Sequence, residues 1–178
     1  KNPPLTGMPR QEAESFSPLA FGLSMSIDYQ RQVLTIARRL PEEDRADVRL
    51  PLWMNRLATV QGLVDANHHA SFVVDTGGQV ISISTATATA LNRPEPPRRI
   101  ALRVWGASGW DPDAYLLPGV ALAFSDIKYD NFSVVVLNLR APSVLLGYEL
   151  GGIVGHQFLS RFRVSFDLEQ SVLRLNRS

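Results

Sequence analysis

The sequence contains no cysteine, which excludes disulfide bonds, thiol catalysis and thiolate metal sites. It also has almost no net charge, because 18 Lys and Arg residues stand against 17 Asp and Glu residues for a formal charge of +1. The two signs are mixed along the chain, so no basic patch indicates a nucleic-acid partner. The longest apolar run, Tyr115 to Phe124, is interrupted by Pro118 and Gly119 and is too short to cross a bilayer. We therefore expect neither a nucleic-acid partner nor a transmembrane segment.

What the chain does contain is typical of one compact domain with some extra length: 178 residues, of which 45% are hydrophobic and 20% charged. Residues 1–22 are predicted to be an arm or linker, because their first part is rich in proline and polar groups and shows no period. This opening also lacks an initiator Met and the apolar core of a signal peptide. We expect the chain to be a processed or truncated piece of a longer protein.

The rest of the sequence is dominated by the alternation of apolar and polar residues that is typical of β-strands. Residues 23–37 predict a β-hairpin with its turn near Gln30, and a second hairpin is predicted from Ala58 to Val64 and from Ser71 to Val74. The segments "ISTATATALN" and "GHQFLSRF" are short helix candidates. Further strands are expected in "IALRVWG", "VALAFSDIKYDNFSVVVLNL" and "FRVSFDLEQSVLRL". The predicted fold class is all-β with one or two short helices.

One strand pattern occurs twice in the chain. The segment "SIDYQRQVLTI", Ser26 to Ile36, aligns without a gap with "SFDLEQSVLRL", Ser165 to Leu175, and Ser, Asp, Val and Leu match in both. Any two amphipathic hairpins look alike to some degree, but we favour a true repeat. Residues 23–37 would then resemble the tail of a preceding domain, and the complete second copy would occupy residues 48–178.

The stretch "FVVDTGG" places one carboxylate, that of Asp75, directly after an apolar run. A strand that is apolar at consecutive positions is expected to be covered on both faces, so a carboxylate at its end is costly to place for structural reasons alone. Thr76 adds a hydroxyl able to hydrogen-bond, and Gly77 suits a tight loop approached closely by another chain or a substrate. The structural alternative is an Asp that caps a turn before glycine.

Together with the later run "GGIVGHQFLSRFRVSFDLEQSVLRL", this motif resembles the retropepsin-like aspartyl proteases, in particular their single-domain bacterial members. In that family an apolar strand ends in Asp-Thr/Ser-Gly, and a later apolar-apolar-Gly segment leads into a short helix and a final hairpin. The corresponding residues here are Asp75, Thr76 and Gly77, then Ile153, Val154 and Gly155, with Gln157 to Phe162 as the helix. The resemblance covers residues 48–178 and implies a retropepsin-like acid-protease barrel.

The activity that the resemblance implies is that of an aspartic endopeptidase. Asp75 would be one of two catalytic aspartates that together activate a water for attack on a peptide carbonyl of a polypeptide substrate. Thr76 would hold the two active-site loops together by its hydroxyl, and Gly77 would allow their close approach. Gly78 is a departure, since the family usually has Ala or Ser there, and its added freedom is expected to loosen the position of the carboxylate. No cofactor is implied.

In the same family a glycine-bearing hairpin closes over the substrate as a flap. The segment "RVWGASGWDPDAY" lies between the two motifs and has Gly106 and Gly109 as turn residues. Trp105, Trp110 and Tyr115 would be the apolar groups that line a cleft beneath it. We therefore predict a flap here, with plain packing of the aromatic residues as the alternative.

The chain carries one Asp-Thr-Gly, so the second aspartate must come from elsewhere. Either two copies form a symmetric homodimer that brings two Asp75 residues together, or the second carboxylate lies on an upstream homologous lobe of which residues 23–37 are the remnant. The alternative function is a catalytically inactive module of the same fold that binds peptide or mediates dimerisation. Relatives are commonly exported, so the bacterial periplasm or envelope is the expected location.

Three other patterns in the sequence bear on different chemistry. The string "VVDTGG" is also similar to the phosphate-binding turn of sugar-kinase and actin-like ATPases, but that fold needs far more chain than this one offers. His68 and His69 are adjacent and would point to opposite faces of a strand end, so we expect a solvated turn there and predict no metal. His156 is expected to be a buried histidine. The run "GGIVG" lacks the spacing of a dinucleotide site, so no nucleotide is implied.

Overall fold

The computed structural model describes residues 16–41, 46–94, 100–106 and 109–177. The strands in these residues are β1 (Ser24–Asp28), β2 (Val33–Ala37), β3 (Val48–Pro51), β4 (Trp53–Asn55), β5 (Leu57–Val64), β6 (His68–Val74), β7 (Ile81–Ser84), β8 (Ile100–Ala101), β9 (Val104–Gly106), β10 (Gly109–Asp111), β11 (Tyr115–Phe124), β12 (Ile127–Leu137), β13 (Gly152–Val154), β14 (Phe162–Asp167) and β15 (Val172–Arg177). The helices are α1 (Thr85–Ala90), α2 (Arg140–Leu146) and α3 (His156–Leu159), and Pro18–Phe21 forms a 3-10 helix. The predicted all-β class is confirmed.

The larger sheet closes into a barrel. Its strands follow the order β4-β5-β6-β13-β7-β12-β11-β8, and a further pairing of β5 with β11 joins Val64 to Leu122 and closes the ring. The barrel is filled by apolar side chains from alternate strand positions, including the fully buried rings of Phe72 and Phe124, whose centroids lie 5.0 Å apart. Burial of these alternate positions is what determines the register of the strands.

Strand β6 is covered on both faces, as its apolar run predicts. Phe72 and Val74 face the main core, whereas Val73 belongs to a second buried cluster with Leu139 and Leu146 from the region of α2. Strand β13 runs parallel to β6 on one side and antiparallel to β7 on the other. The carboxyl ends of β6 and β13 therefore lie side by side; the first motif follows β6, and the second consists of the last two residues of β13 and Gly155.

The turn between β5 and β6 is fixed to β11 by an ion pair. Arg93 donates to both carboxylate oxygens of Asp65, with Nε to Oδ2 and Nη2 to Oδ1 both at 2.5 Å, and also donates to the carbonyl of Gly119 at 2.7 Å. Burial by itself would raise the pKa of Asp65, but the hydrogen bonds from Arg93 and from the Ala121 N–H, together with the charge of Arg93, outweigh it and lower that pKa. This contact steadies the hairpin that leads to Asp75.

A second sheet contains both copies of the repeated hairpin, in the order β2-β1-β14-β15-β3. Strands β1 and β14 are antiparallel neighbours, and Ser26 lies opposite Ser165 with their hydroxyl oxygens 2.8 Å apart. The first hairpin is therefore an integral part of the sheet that carries the C-terminal hairpin. Residues 1–15 of the predicted arm lie outside the described residues, and Pro18–Phe21 is helical.

The two hairpins also agree in the details of their turns. In the first, the Asp28 carboxylate accepts a hydrogen bond from the Arg31 N–H at 2.9 Å. In the second, the Asp167 carboxylate accepts from the Gln170 N–H at 3.0 Å. The next residues, Gln32 and Ser171, both have positive φ, at 56° and 53°. The sequence match thus corresponds to matching backbone conformations.

Some local predictions need correction. Helix α1 begins at Thr85, because the preceding Ile83 and Ser84 pair in β7 and the Ser84 hydroxyl caps the helix. Helix α3 ends at Leu159, and Phe162 is the first residue of β14 rather than the end of the helix. The segment "IALRVWG" is divided between β8 and β9.

Two further features differ from the sequence analysis. Helix α2 was not predicted; its sequence, "RAPSVLL", is short and contains proline, which is tolerated near a helix start. His68 and His69 begin β6 rather than forming the turn. None of the helices in the described ranges is long and apolar enough to span a membrane.

Candidate active site

Asp75 lies half-buried at the end of β6, in a loop that its own polar groups organise. Its N–H donates to the carbonyl of Val154 at 3.0 Å, which extends the parallel pairing of β6 and β13 by one residue. Its carboxylate oxygen Oδ1 accepts from the Gly77 N–H at 2.9 Å, and its carbonyl accepts from the Gly78 N–H at 3.3 Å. The carboxylate is thereby held over the loop by the backbone that follows it.

Gly78, the departure noted in the sequence, lies in close contact with this carboxylate. A Cβ atom placed on Gly78 would lie 2.9 Å from Asp75 Oδ2 and 3.2 Å from its Cγ. A Cβ on Gly77 would lie 3.4 Å from Oδ1, which is ordinary contact. In the described conformation, glycine at position 78 therefore sets where the carboxylate can rest.

The loop after Asp75 is attached to the start of α3. The His156 N–H donates to the Gly78 carbonyl at 2.7 Å, and the Gln157 N–H donates to the Gln79 carbonyl at 2.9 Å. Gly155 permits this approach, because a Cβ there would lie 2.6 Å from the same Gly78 oxygen. The two sequence motifs are thus joined directly, backbone to backbone.

A buried hydrogen-bond network holds Gly151, the residue just before β13 and the second motif. The carbonyl of Gly151 accepts from the Ser84 N–H at 2.8 Å and from the Thr87 hydroxyl at 3.0 Å, while the Gly151 N–H donates to the Ser71 carbonyl at 2.8 Å. These contacts fix the start of β13 against β6 and α1. The role of Thr87 was not predicted, although its spacing three residues after Ser84 is that of a helix-capping pair.

The outer side of the loop faces solvent. Thr76, Gly77 and Gln79 are exposed, and the side chain of Val80 is 41% exposed. Ile153 is half-buried and Val154 is fully buried in β13. The structure therefore brings the Asp75 loop and the Ile153–Gly155 segment together and leaves the Thr76 edge open to a substrate or another chain.

The predicted flap residues lie in a two-stranded hairpin formed by β9 and β10. Gly109 pairs with Gly106, and Trp110 pairs with Trp105. The base of this hairpin is held by Asp111, whose Oδ2 accepts from the Asn138 N–H at 2.6 Å. The hairpin tip at 107–108 lies outside the described residues, so closure over Asp75 stays a prediction.

A protein-family model described as aspartyl protease matches residues 58–150, which is more than half of the chain. The chain belongs to this aspartyl protease family. Among curated proteins, no match is found. The matched range contains the Asp75 loop, the β9–β10 hairpin and helices α1 and α2.

The fold is similar to that of solved structures. This chain is similar to a retropepsin-like aspartic protease from Rickettsia conorii, with 16% identity and a TM-score of 0.51. The match covers 73% of this chain and 89% of the Rickettsia chain. Two further structures match. The EIAV protease in complex with the inhibitor HBY-793 has 16% identity and a TM-score of 0.43, and the match covers 58% of this chain and 85% of that one. The retroviral protease-like domain of Ddi1 from Leishmania major has 17% identity and a TM-score of 0.43, and the match covers 68% of this chain and 94% of that one. The retropepsin-like fold expected from the sequence is confirmed.

Within this aspartyl protease fold, the first hairpin reaches the second motif through Tyr29. The ring of Tyr29 contacts His156 edge to face, with centroids 5.1 Å apart. His156 is exposed, so the expectation of a buried histidine was wrong. The residue lies at the surface just after the end of β13, where its backbone N–H, rather than its ring, donates to the Gly78 carbonyl. Burial raises the pKa of Tyr29. The residues 23–37 therefore contact the segment that supports Asp75.

Proposed function

We propose that this chain is the part of an aspartic endopeptidase that supplies one catalytic carboxylate, Asp75. The observation that supports this most is the joining of the two motifs: the Asp75 loop is bonded on one side to Val154 and on the other to the N-terminus of α3. The carboxylate stands at a solvent-facing edge, with Thr76 beside it. A turn-capping role alone would not explain why so many backbone contacts converge on this loop.

The proposed chemistry needs a second aspartate across from Asp75, supplied by a second copy of the chain or by an upstream lobe. Two close carboxylates cannot both ionise cheaply, so they hold one proton between them. The ionised one takes a proton from a water, whose oxygen attacks the scissile carbonyl carbon, while the protonated one donates to the carbonyl oxygen. Proton return to the amine nitrogen then allows the C–N bond to break.

The substrate would be an extended polypeptide bound between the Asp75 loop and the β9–β10 hairpin acting as a flap. Exclusion of water by such a flap strengthens the electrostatic contacts of the site. Thr76, exposed at the loop edge, would bond across to the equivalent loop of the partner and hold the two carboxylates in place.

The test is cleavage of a diverse peptide library between about pH 4 and 7. The wild type is compared with Asp75→Asn and with a matched control, Asp126→Asn, an exposed aspartate in the β11–β12 turn. In any preparation in which the wild type cleaves, we expect cleavage to be lost in Asp75→Asn and kept in Asp126→Asn.

Protein concentration distinguishes the sources of the second aspartate. A rate per chain that rises with concentration would indicate a homodimeric site, and Asp75→Asn mixed into wild type would then inhibit. No cleavage by well-folded wild type at any concentration would contradict activity of this chain alone. Peptide binding without cleavage by the same preparation would favour the inactive binding module.

A further inference from the structure

The β1–β2 hairpin exposes apolar side chains on a face that is buried elsewhere in the same sheet. On β15, Leu173 and Leu175 point toward the barrel and are 0% exposed. On β2, Leu34 and Ile36 point to the same face of the sheet through their pairing with Ile27 and Met25, yet they are 57% and 41% exposed. The barrel covers only one half of this sheet.

The two halves are related by a local two-fold axis. In the pairing of β1 with β14, Met25 lies opposite Phe166 and Ile27 lies opposite Val164, so the register is symmetric about Ser26 and Ser165. These two serines are also equivalent in the sequence repeat, at a separation of 139 residues. Each therefore pairs with its own counterpart, and the axis exchanges β1 with β14 and β2 with β15.

This symmetry identifies what is missing beside β2. Strand β15 pairs on its outer edge with β3, where Leu173 lies opposite Leu50. In the described part of the chain, no strand pairs with the corresponding outer edge of β2. The axis places there a strand equivalent to β3 and, beneath Leu34 and Ile36, a core equivalent to the barrel.

We propose that this surface, the outer edge and apolar face of β2, is covered by an upstream lobe of the same polypeptide, a lobe of the same fold whose last hairpin is β1–β2. A second copy of this chain fits less well, because the position next to β14 that it would use is already filled by β1. An upstream lobe satisfies both the edge strand and the apolar face without displacing any observed pairing.

The same axis would carry the upstream lobe's own Asp loop toward Asp75, and this part of the inference rests on the proposed function. Tyr29 in the first hairpin already contacts His156 beside the Asp75 loop, so the shared sheet and the site are continuous. The active site would then be formed between two unequal lobes rather than between two copies of one chain.

The test uses the absence of cysteine in this chain, which lets a single introduced thiol report its own accessibility. Leu34→Cys is prepared in the 178-residue chain and in the natural polypeptide extended toward its N-terminus, both with Asp75→Asn to prevent self-cleavage. Val144→Cys, on α2 and 75% exposed, is the matched control. Amide hydrogen exchange of β2 is measured in parallel, so the result does not depend on the thiol alone.

We expect Leu34→Cys to react rapidly in the 178-residue chain and at least about 10-fold more slowly in the extended polypeptide, with slower amide exchange in β2 and no change at Val144→Cys. Equal reactivity in both would overturn the proposal, as would a natural polypeptide with no lobe upstream. Protection that appears only as the concentration of the 178-residue chain rises would assign the surface to a second copy. Slow reaction in that chain at every concentration would show that the chain covers this surface itself and would also overturn the proposal. Because nothing here depends on cleavage, failure of the proposed function would leave these outcomes unchanged.

Discussion

Substitution of Gly155 by alanine is the sharpest test of how the Asp75 loop is held. The added methyl carbon would lie 2.6 Å from the Gly78 oxygen, 2.8 Å from the Gly78 carbonyl carbon and 2.8 Å from the Val80 oxygen. All three are backbone atoms, so no flexible side chain can move aside. Overpacking of this kind costs about 1–3 kcal/mol.

The same methyl group also displaces the acceptor of the His156 N–H, a bond of 2.7 Å whose loss adds about 1 kcal/mol. We therefore expect Gly155→Ala to lower the free energy of unfolding by about 3 kcal/mol. For a chain of this length that corresponds to a fall in Tm of about 6–12 °C.

The assay is thermal and urea unfolding of Gly155→Ala beside Gly77→Ala. The control adds the same methyl group on the other side of this junction, in the Asp75 loop, at 3.4 Å from its nearest neighbour, so its stability should change by no more than about a few tenths of a kcal/mol. Equal stability of Gly155→Ala and the wild type would refute the reasoning that this contact joins the two motifs. A large loss in both variants would show that the loop tolerates no side chain at all, whatever the contact distance.

Two further predictions concern named side chains. Asp65→Asn should destabilise the protein by about 1–2 kcal/mol at pH 7, because Arg93 loses its charged partner. Because the folded-state pKa of Asp65 is lowered, the stability difference between the wild type and Asp65→Asn should be present above the unfolded-state pKa and should disappear as pH falls through the folded-state pKa. Urea unfolding of both proteins above the unfolded-state pKa and below the folded-state pKa checks this. A stability difference that does not change with pH would contradict the assigned role of the Asp65 charge. Gly78→Ala should leave Tm nearly unchanged, because the methyl group meets the movable Asp75 carboxylate, but should lower kcat; unchanged kcat would mean that the carboxylate position is not critical.

Much of the fold followed from short-range patterns in the sequence. The repeated hairpin was visible because strand alternation and the Asp of its turn recur together, and both turns adopt the same conformation. The Asp75 motif was visible because a lone carboxylate after a run buried on both faces is unusual. Helix α2 was missed, since its stability comes from Leu146 packing into the cluster around Val73 rather than from a helical period of its own.

By itself, the sequence determined the all-β class, the positions of the two motifs and the recurrence of one hairpin pattern, because these depend on residue type and spacing along the chain. Only the tertiary structure decided that the ends of β6 and β13 lie side by side, that Gly155 and Gly78 are in backbone contact, and that β1 pairs with β14 about a local two-fold axis. Such contacts join residues that are far apart in sequence. Their energies change when the distance between the atoms changes by a few tenths of an ångström, and no local sequence pattern encodes distances that finely. The exposed apolar face of β2 belongs to the same category: its side chains look like core in the sequence, and only the sheet shows that nothing in the described residues covers them.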